Sequence, residues 1–250
     1  MEESLTVCRI MQPGDANVSG NVHGGRILQM IEEAGMIVST RHCNVGMTEE
    51  NNCICGLARV EHTDFLQPMF VGEIAHLHAV ATYCSAHSIE VKVDVHAENL
   101  FKGEKRLTNQ ATLWYVPIKE GNIVCNVPPL VYKQPEDEMA GRRRYLKQKT
   151  EREQVDTNAP SMTDNWAMSI DVPNRNGEMH TVGNAQSSLI HLVGVQDCGV
   201  HGWAMGGVAM KLMDEVAGIC AIRHCHTNVV TASMDAVDFH QRINKGRQPY

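Results

Sequence analysis

Hydrophobic residues recur at helical spacing in two stretches that lie far apart along the chain. The first stretch predicts an amphipathic helix over residues 26–40, because its apolar side chains fall three and four positions apart. These side chains are Ile27, Met30, Ile31, Ala34 and Val38. The second stretch predicts a helix over residues 208–224. Each helix ends near an Arg-His pair, where cations suit the negative end of the helix dipole.

After the first helix the apolar period becomes two, which is typical of half-buried strands. The alternation predicts four strands, over residues 53–62, 73–84, 88–98 and 105–116. Short apolar runs ahead of the two helices, at 4–11 and 187–194, also predict strands. A strand, a helix and four strands make an α+β unit, in which one helix covers the apolar face of an antiparallel sheet.

The chain contains a duplicated unit. Residues 15–43 and 197–225 align without a gap at an offset of 182, and ten of the 29 positions are identical. This predicts a first unit over residues 1–117, a linker with a charged helix over 118–182, and a second unit over 183–250. The segment 231–246 also matches the first unit, with Phe239 on Phe65 and Gly246 on Gly72.

The second unit is expected to be incomplete. After the match at Gly72 the first unit continues through three more predicted strands, whereas four residues follow Gly246. A strand predicted over 228–237 would then present an open edge, and small sheets are marginal alone. We therefore expect a C-terminally truncated second unit that is loosely held or rescued by oligomerisation.

The linker combines acidic and basic residues. Its run of three arginines at 142–144 could bind nucleic acid, but acidic residues flank it on both sides, which favours a solvated linker helix. Residues 155–180 are polar, carry two prolines and are expected to be loose.

Charge and composition exclude several classes of function. The net charge of −7 argues against nucleic acid as a partner, because binding phosphates requires a basic face. No apolar run approaches the roughly 20 residues of a membrane span, and the N-terminus lacks the apolar core of a signal peptide, so a cytoplasmic location is expected. Nine cysteines, an odd number without a CxxC pair, are expected to be reduced thiols.

Motifs for cofactors and for a serine nucleophile are absent from the sequence. The thirteen histidines form no HExxH pattern and no Cys/His finger spacing, so no metal is expected. No G-x-S-x-G elbow surrounds Ser187 or Ser188, and no GxGxxG or P-loop pattern occurs. We therefore expect no cofactor.

The segments NVHGG, MIEEAG and LMDEVAG resemble those of hotdog-fold acyl-CoA thioesterases, and especially the cytosolic double-hotdog, brain-type long-chain acyl-CoA hydrolases. Further similar stretches are LARVEHTDFLQPMFVGE, LTNQATLWYVP and SSLIHLVG. The resemblance implies an α+β hotdog fold in tandem, each central helix wrapped by a five-stranded sheet. It also implies hydrolysis of fatty acyl-CoA to fatty acid and CoA without a metal, in a homo-oligomer.

The glycine pair before the first helix suits thioester chemistry. Backbone N–H groups at a helix N-terminus can stabilise an oxyanion, and glycine lets a substrate approach them closely. We expect Gly24 and Gly25, with His23, to bind substrate. The alternative interpretation is a tight loop in which these glycines adopt positive φ.

Hydrolysis also requires a carboxylate to activate water or to attack directly. Glu32 aligns with Asp214, and these residues differ; Glu33 aligns with Glu215, and this identical pair could be structural. In hotdog thioesterases the loop of one unit faces the helix acid of the other. The resemblance therefore implies two composite sites, one with Asn17 and Asp214 and one with Gly199 and Glu32.

The two composite sites are not equivalent in sequence. Asn17 has an amide that can orient water or the thioester oxygen, and its counterpart Gly199 has no side chain. His23 likewise becomes Met205, and Asn21 becomes Trp203. We expect one working site, in which Asn17 and Asp214 are catalytic, and one lapsed site at Glu32.

Three functions remain open from sequence. The first is an active acyl-CoA hydrolase. The second is a catalytically impaired, truncated isoform that binds acyl-CoA or associates with related chains. The third is a hotdog dehydratase or hydratase, which usually pairs its acid with a histidine; no histidine stands beside Asp214. The sequence indicates no acyl-chain length.

Overall fold

The computed structural model describes residues 4–17, 19–48, 51–158, 186–200 and 202–246. Its helices are α1 (Gly24–Cys43), α2 (Pro135–Asn158) and α3 (Gly206–Cys225). In the first unit the strands are β1 (Ser4–Ile10), β2 (Ile54–Val60), β3 (Thr63–Phe65), β4 (Ile74–Cys84), β5 (Ile89–Glu98), β6 (Lys105–Lys119) and β7 (Ile123–Val124). In the second unit they are β8 (Ser233–Met234) and β9 (Val237–Asp238).

The described strands form one antiparallel sheet in the order β1-β4-β5-β6-β2-β9. Short β3 pairs with β6 and β8, and β7 pairs with β6. The strands predicted for the first unit are confirmed, the one over 53–62 as β2. The short strands β3 and β7 lie outside the predicted ranges. The two helices predicted over 26–40 and 208–224 are also confirmed, each longer than its apolar pattern.

The first unit buries α1 against one face of the sheet. The inward side chains of β5 are fully buried, as the alternation predicts, and they join the apolar face of α1 in one core. The β5 members of this core are Ile89, Val91, Val93 and Val95. The helix members include Ile27, Leu28, Ile31, Ala34 and Val38.

The outer face of the sheet is covered in part by α2, which differs from the expected solvated linker helix. Glu90, on the polar side of β5, is fully buried and accepts hydrogen bonds from Arg144 Nε and Nη2, both at 2.7 Å. Tyr145 packs against Tyr83 and Trp114, with ring centroids 5.9 and 5.8 Å apart. The linker helix therefore belongs to the fold of the first unit.

The second unit attaches to the first through helix packing and strand pairing. Helix α3 packs on α1, while β9 pairs with β2 and β8 with β3. Arg59 adds charge contacts between the parts: its guanidinium binds Glu61 at 3.0 Å, Glu151 of α2 at 2.6 Å and Asp238 of β9 at 2.8 Å.

Two strand predictions in the second unit are wrong. The predicted strand over 228–237 is replaced by the two-residue strands β8 and β9, and their open edge is avoided by pairing with the first unit. Residues 187–194 form no strand. In the first unit the equivalent β1 pairs with β4, and the described residues 186–200 and 202–246 contain no counterpart of β4. Most of the segment 155–180, predicted to be loose, lies outside the described residues.

Candidate active sites between the two units

The glycine pairs allow α1 and α3 to pack unusually closely. A Cβ atom on Gly25 would lie 2.7 Å from the Cα atom of Lys211, and one on Gly207 would lie 2.8 Å from the Cα atom of Gln29. Both distances are below any ordinary carbon contact. The N-terminal turn of each helix therefore lies against the backbone of the other helix, at sites that only glycine fits.

The alternative interpretation of these glycines, a loop with positive φ, is wrong. Gly24 and Gly25 are the first residues of α1 and have helical conformation, whereas positive φ occurs earlier in the loop at Gly20. The equivalent loop of the second unit repeats this at Gly202.

The first composite site joins the start of α1 to the acid of α3. Asp214 Oδ2 accepts a hydrogen bond from the backbone N–H of Gly25 at 2.8 Å. Its other oxygen, Oδ1, accepts one from the hydroxyl of Thr231. The positive end of the α1 dipole faces this carboxylate, so the site combines a helix N-terminus, a carboxylate and a hydroxyl.

The second composite site repeats the arrangement with the units exchanged. Glu32 accepts hydrogen bonds from the backbone N–H groups of Gly206 at 2.9 Å and Gly207 at 2.6 Å. Glu32 is 3% exposed, and burial raises its pKa from 4.5 to about 7, although the two N–H groups act in the opposite direction. The adjacent Glu33 is exposed, so only one acid of the pair enters a site.

Thr231 is a site residue that the sequence reasoning missed. A Cβ atom on Gly24 would lie 3.0 Å from Thr231 Oγ1 and 3.1 Å from the ring of Phe65. At the equivalent position of the second site, a Cβ atom on Gly206 would lie 2.7 Å from Leu57 Cδ2 and 3.1 Å from the ring of Phe239. The match of Phe239 on Phe65 already aligned Thr231 with Leu57, so the signal was available.

Asn17 lies in the loop that leads into α1. Its Oδ1 atom accepts hydrogen bonds from the backbone N–H groups of Ser19 at 3.0 Å and Asn21 at 3.1 Å. The amide oxygen thus shapes the loop, and the NH2 group is the part of the side chain suited to a ligand. Asn228 of the second unit donates to Ser19 Oγ at 2.8 Å, which ties the segment of Thr231 to this loop.

His23 is the N-cap residue of α1 and its side chain is exposed. Its backbone carbonyl accepts the N–H groups of Arg26 at 3.0 Å and Ile27 at 3.3 Å. The backbone of His23 therefore starts the helix, and a substrate contact through its imidazole stays a prediction.

A cavity of about 350 Å³ adjoins the second composite site. Glu32, Gly199, Met205 and Gly206 line it together with apolar side chains of both units. Among the described residues, no cluster of His, Cys, Asp and Glu could hold a metal ion, and no helix is long and apolar enough to cross a membrane.

Three comparisons with known proteins agree with this geometry. The chain is 57% identical over 97% of its length to a mouse cytosolic acyl coenzyme A thioester hydrolase, covering 61% of that protein. It is 51% identical over 87% of its length to a human putative cytosolic acyl coenzyme A thioester hydrolase-like protein, covering 83% of it. The solved structure of an apo-hexameric acyl-CoA thioesterase is similar to this chain, with 24% sequence identity and a TM-score of 0.53. The match covers 61% of this chain and 93% of the thioesterase chain.

These likenesses establish the α+β hotdog fold. The chain spans about three fifths of the length of the mouse relative. The family model of the thioesterase superfamily matches residues 19–100 and 201–247, so both units are recognised. The chain therefore belongs to the thioesterase superfamily.

Proposed function

We propose that this protein hydrolyses fatty acyl-CoA to a fatty acid and free CoA at the first composite site. The observation that carries the proposal is the hydrogen bond from the Gly25 N–H to Asp214, which sets a carboxylate at the positive end of α1. A thioester carbonyl beside this helix start would meet both an oxyanion-stabilising dipole and an acid. The names of the mouse and human relatives support the same reaction.

Asp214 acts in this proposal either as the base for a water molecule or as the nucleophile. As a base it takes a proton from water while the oxygen attacks the carbonyl carbon, and the C–S bond then breaks to release the CoA thiolate. The proton finally passes to the thiolate. Thr231 holds Asp214 Oδ1, which leaves the direction of the carboxylate fixed during the attack.

Asn17 and the start of α1 bind the reacting groups. The Asn17 NH2 group orients the water or the thioester oxygen, because its own oxygen is already engaged by the loop. The N–H of Gly24, the first residue of α1, belongs to the same helix turn and suits a developing negative charge on the carbonyl oxygen. His23 lies on the exposed side of this turn, where the CoA part of the substrate would pass.

The second composite site is assigned no hydrolysis. At that site Gly199 replaces Asn17 and Leu57 replaces Thr231, so the side-chain amide and the hydroxyl group are both missing.

The cytosolic location in the relatives' names and the hexamer of the solved thioesterase support a cytoplasmic homo-oligomer here. The exposed apolar side chains of α3, Met213, Ile219 and Ile222, are consistent with a contact between subunits.

The test is turnover of palmitoyl-CoA by this chain, followed through release of free CoA, with the mass and oligomeric state measured on the same sample. We expect turnover that the variant Asp214→Asn abolishes. Release of CoA at the uncatalysed rate would overturn the proposal.

A second candidate is acyl-CoA binding without turnover. The exposure of α3 favours this candidate: the side chain of Met213 is 47% exposed and that of Ile222 is 46% exposed. A helix that is packed on one side only fixes the position of Asp214 less firmly. A misplacement of about 1 Å can cost roughly a hundredfold in rate. Stoichiometric binding of palmitoyl-CoA without release of CoA would favour this candidate.

A further inference from the structure

The cavity beside Glu32 has an apolar wall contributed by both units. Its volume is about 350 Å³, within the range of small-molecule sites. The apolar side chains that line it include Met36, Ile54, Leu57, Val208, Leu212 and Phe239. A chamber of this composition favours a hydrocarbon ligand.

The wall of the cavity differs in one side chain from the equivalent part of the first unit. The counterpart of Ala209 in α1 is Ile27, which is 3% exposed and belongs to the core. Ala209 lines the cavity, and it is the smaller residue of the pair by three carbon atoms. The two composite sites therefore differ in shape as well as in chemistry.

A cationic group stands at the same cavity. The guanidinium of Arg242, which lines the cavity, lies 4.4 Å from the ring centroid of Trp203 and donates to the side-chain oxygen of Asn122. Both partners are neutral, so the positive charge of Arg242 is not cancelled by either. Arg152 also lines the cavity but is paired with Asp238 at 3.3 Å. The lining thus suits a molecule with a long apolar tail and an anionic head.

We propose that the second composite site binds a long-chain fatty acyl group with an anionic head, as a fatty acid or a fatty acyl-CoA, and holds it without hydrolysis. The tail and the anionic head follow from the cavity itself, whereas the acyl-CoA form rests on the proposed function. The site keeps the helix start and the acid of its working counterpart, but Leu57 and Gly199 replace the groups that would act on a thioester.

The experiment counts bound ligand in the Asp214→Asn protein by equilibrium dialysis and titration calorimetry. The probes are hexadecyl-CoA, a thioether that cannot be hydrolysed, and palmitate. We expect two equivalents of hexadecyl-CoA per chain, and one equivalent after Ala209→Phe fills the cavity. The matched control is Ala217→Phe on the exposed side of α3, which should leave two.

Palmitate distinguishes the two sources of the acyl group. One equivalent of palmitate that Ala209→Phe removes identifies the free acid as a ligand, and binding of hexadecyl-CoA alone identifies the CoA ester. Arg242→Gln should weaken binding of either probe at this site at least tenfold, through loss of charge. If Ala209→Phe fails to fold, the test can still be made with Arg242→Gln and with Ala209→Ile, whose side chain is smaller than phenylalanine.

The proposal is overturned if the Asp214→Asn protein binds one equivalent or none, or if neither the cavity variants nor Arg242→Gln alters the second equivalent. Its failure is separable from failure of the proposed function. If the protein binds two equivalents but releases no CoA, binding at the second composite site is supported and hydrolysis at the first composite site is contradicted.

Discussion

The carboxylate of Asp214 and the backbone N–H of Gly25 meet at 2.8 Å although 189 positions of sequence separate them. Replacing Asp214 by Asn keeps an oxygen that can accept this hydrogen bond but removes the basic carboxylate. We expect kcat to fall at least about a hundredfold, which corresponds to roughly 3 kcal/mol of transition-state stabilisation. Steady-state kinetics with palmitoyl-CoA measure the effect.

The matched control for Asp214→Asn is Glu32→Gln in the second composite site. It should lower kcat far less, because that site lacks the amide and hydroxyl partners. Equal losses from the two variants would contradict the assignment of hydrolysis to one site.

The hydroxyl of Thr231 is expected to contribute through Asp214. Thr231→Val removes the hydrogen bond with little change in shape, and hydrogen bonds to charged groups contribute about 1.5–3 kcal/mol. We expect kcat to fall about tenfold or more, and Thr231→Ser to restore most of it. Leu57→Val at the equivalent position of the second site serves as the control. An unchanged kcat in Thr231→Val would remove this residue from the mechanism.

Asn17 can be tested with a variant that separates its two groups. Asn17→Asp keeps oxygen acceptors for the N–H groups of Ser19 and Asn21 but has no NH2 group. If that group orients the reactants, Asn17→Asp and Asn17→Ala should both lower kcat more than they raise KM. Normal turnover in Asn17→Asp, with loss in Asn17→Ala, would limit Asn17 to shaping the loop.

The internal repeat made much of the site predictable. The gap-free alignment placed Gly24 and Gly25 opposite Gly206 and Gly207, and Glu32 opposite Asp214. In the structure Glu32 accepts hydrogen bonds from Gly206 and Gly207, and Asp214 accepts one from Gly25, so each acid faces the helix start of the other unit. Which of these sites hydrolyses acyl-CoA is still a prediction.

Thr231 was missed because it lies beyond Cys225, where the gap-free alignment ends, and because its counterpart Leu57 has no polar group to indicate a site. Beyond Cys225 the offset between the units changes from 182 to 174, so the pairing of Thr231 with Leu57 appears only when Phe239 is set on Phe65. The contact with Asp214 then follows from the fold rather than from local sequence.

The wrong elements are those that depend on distant partners. Residues 187–194 have the apolar pattern of a strand, but a strand is stabilised by pairing with a neighbouring strand. The described residues of the second unit contain no counterpart of β4 for this segment to pair with. The packing of α2 on the sheet could not be predicted from the sequence for another reason. Its contact with β5 is an ion pair of Arg144 with Glu90, and both residue types ordinarily indicate a solvated face.

The close packing of α1 on α3 predicts a penalty for side chains at the glycine pairs. Gly25→Ala would set a Cβ atom 2.7 Å from the Lys211 backbone, which cannot move as a side chain can. We expect a loss of about 1–3 kcal/mol in the free energy of unfolding, measured by urea denaturation. Gly218→Ala is the control, because a Cβ there has no atom within 4 Å and alanine favours the helix by up to about 1 kcal/mol. Equal stabilities of the two variants would contradict the tight helix contact.

The buried acid Glu32 predicts a specific dependence of stability on pH. Its pKa is raised from 4.5 to about 7 by burial, so between these values the folded chain retains a proton that the unfolded chain has released. The stabilisation is therefore fully present below pH 4.5, decreases as the pH rises, and is lost above about pH 7. Its size is about 3 kcal/mol, since one pKa unit corresponds to about 1.4 kcal/mol.

Glu32→Gln isolates this contribution, because glutamine does not titrate. Urea denaturation of both proteins at intervals from pH 4.5 to 8 should show wild-type stability falling relative to the variant up to about pH 7. Above that value the difference should stay constant, since Glu32 is then ionised in both states. The pH dependence, rather than absolute stability, is the readout, because glutamine has one oxygen for the N–H groups of Gly206 and Gly207. Parallel stability curves across the whole range would show that Glu32 titrates normally in the folded protein.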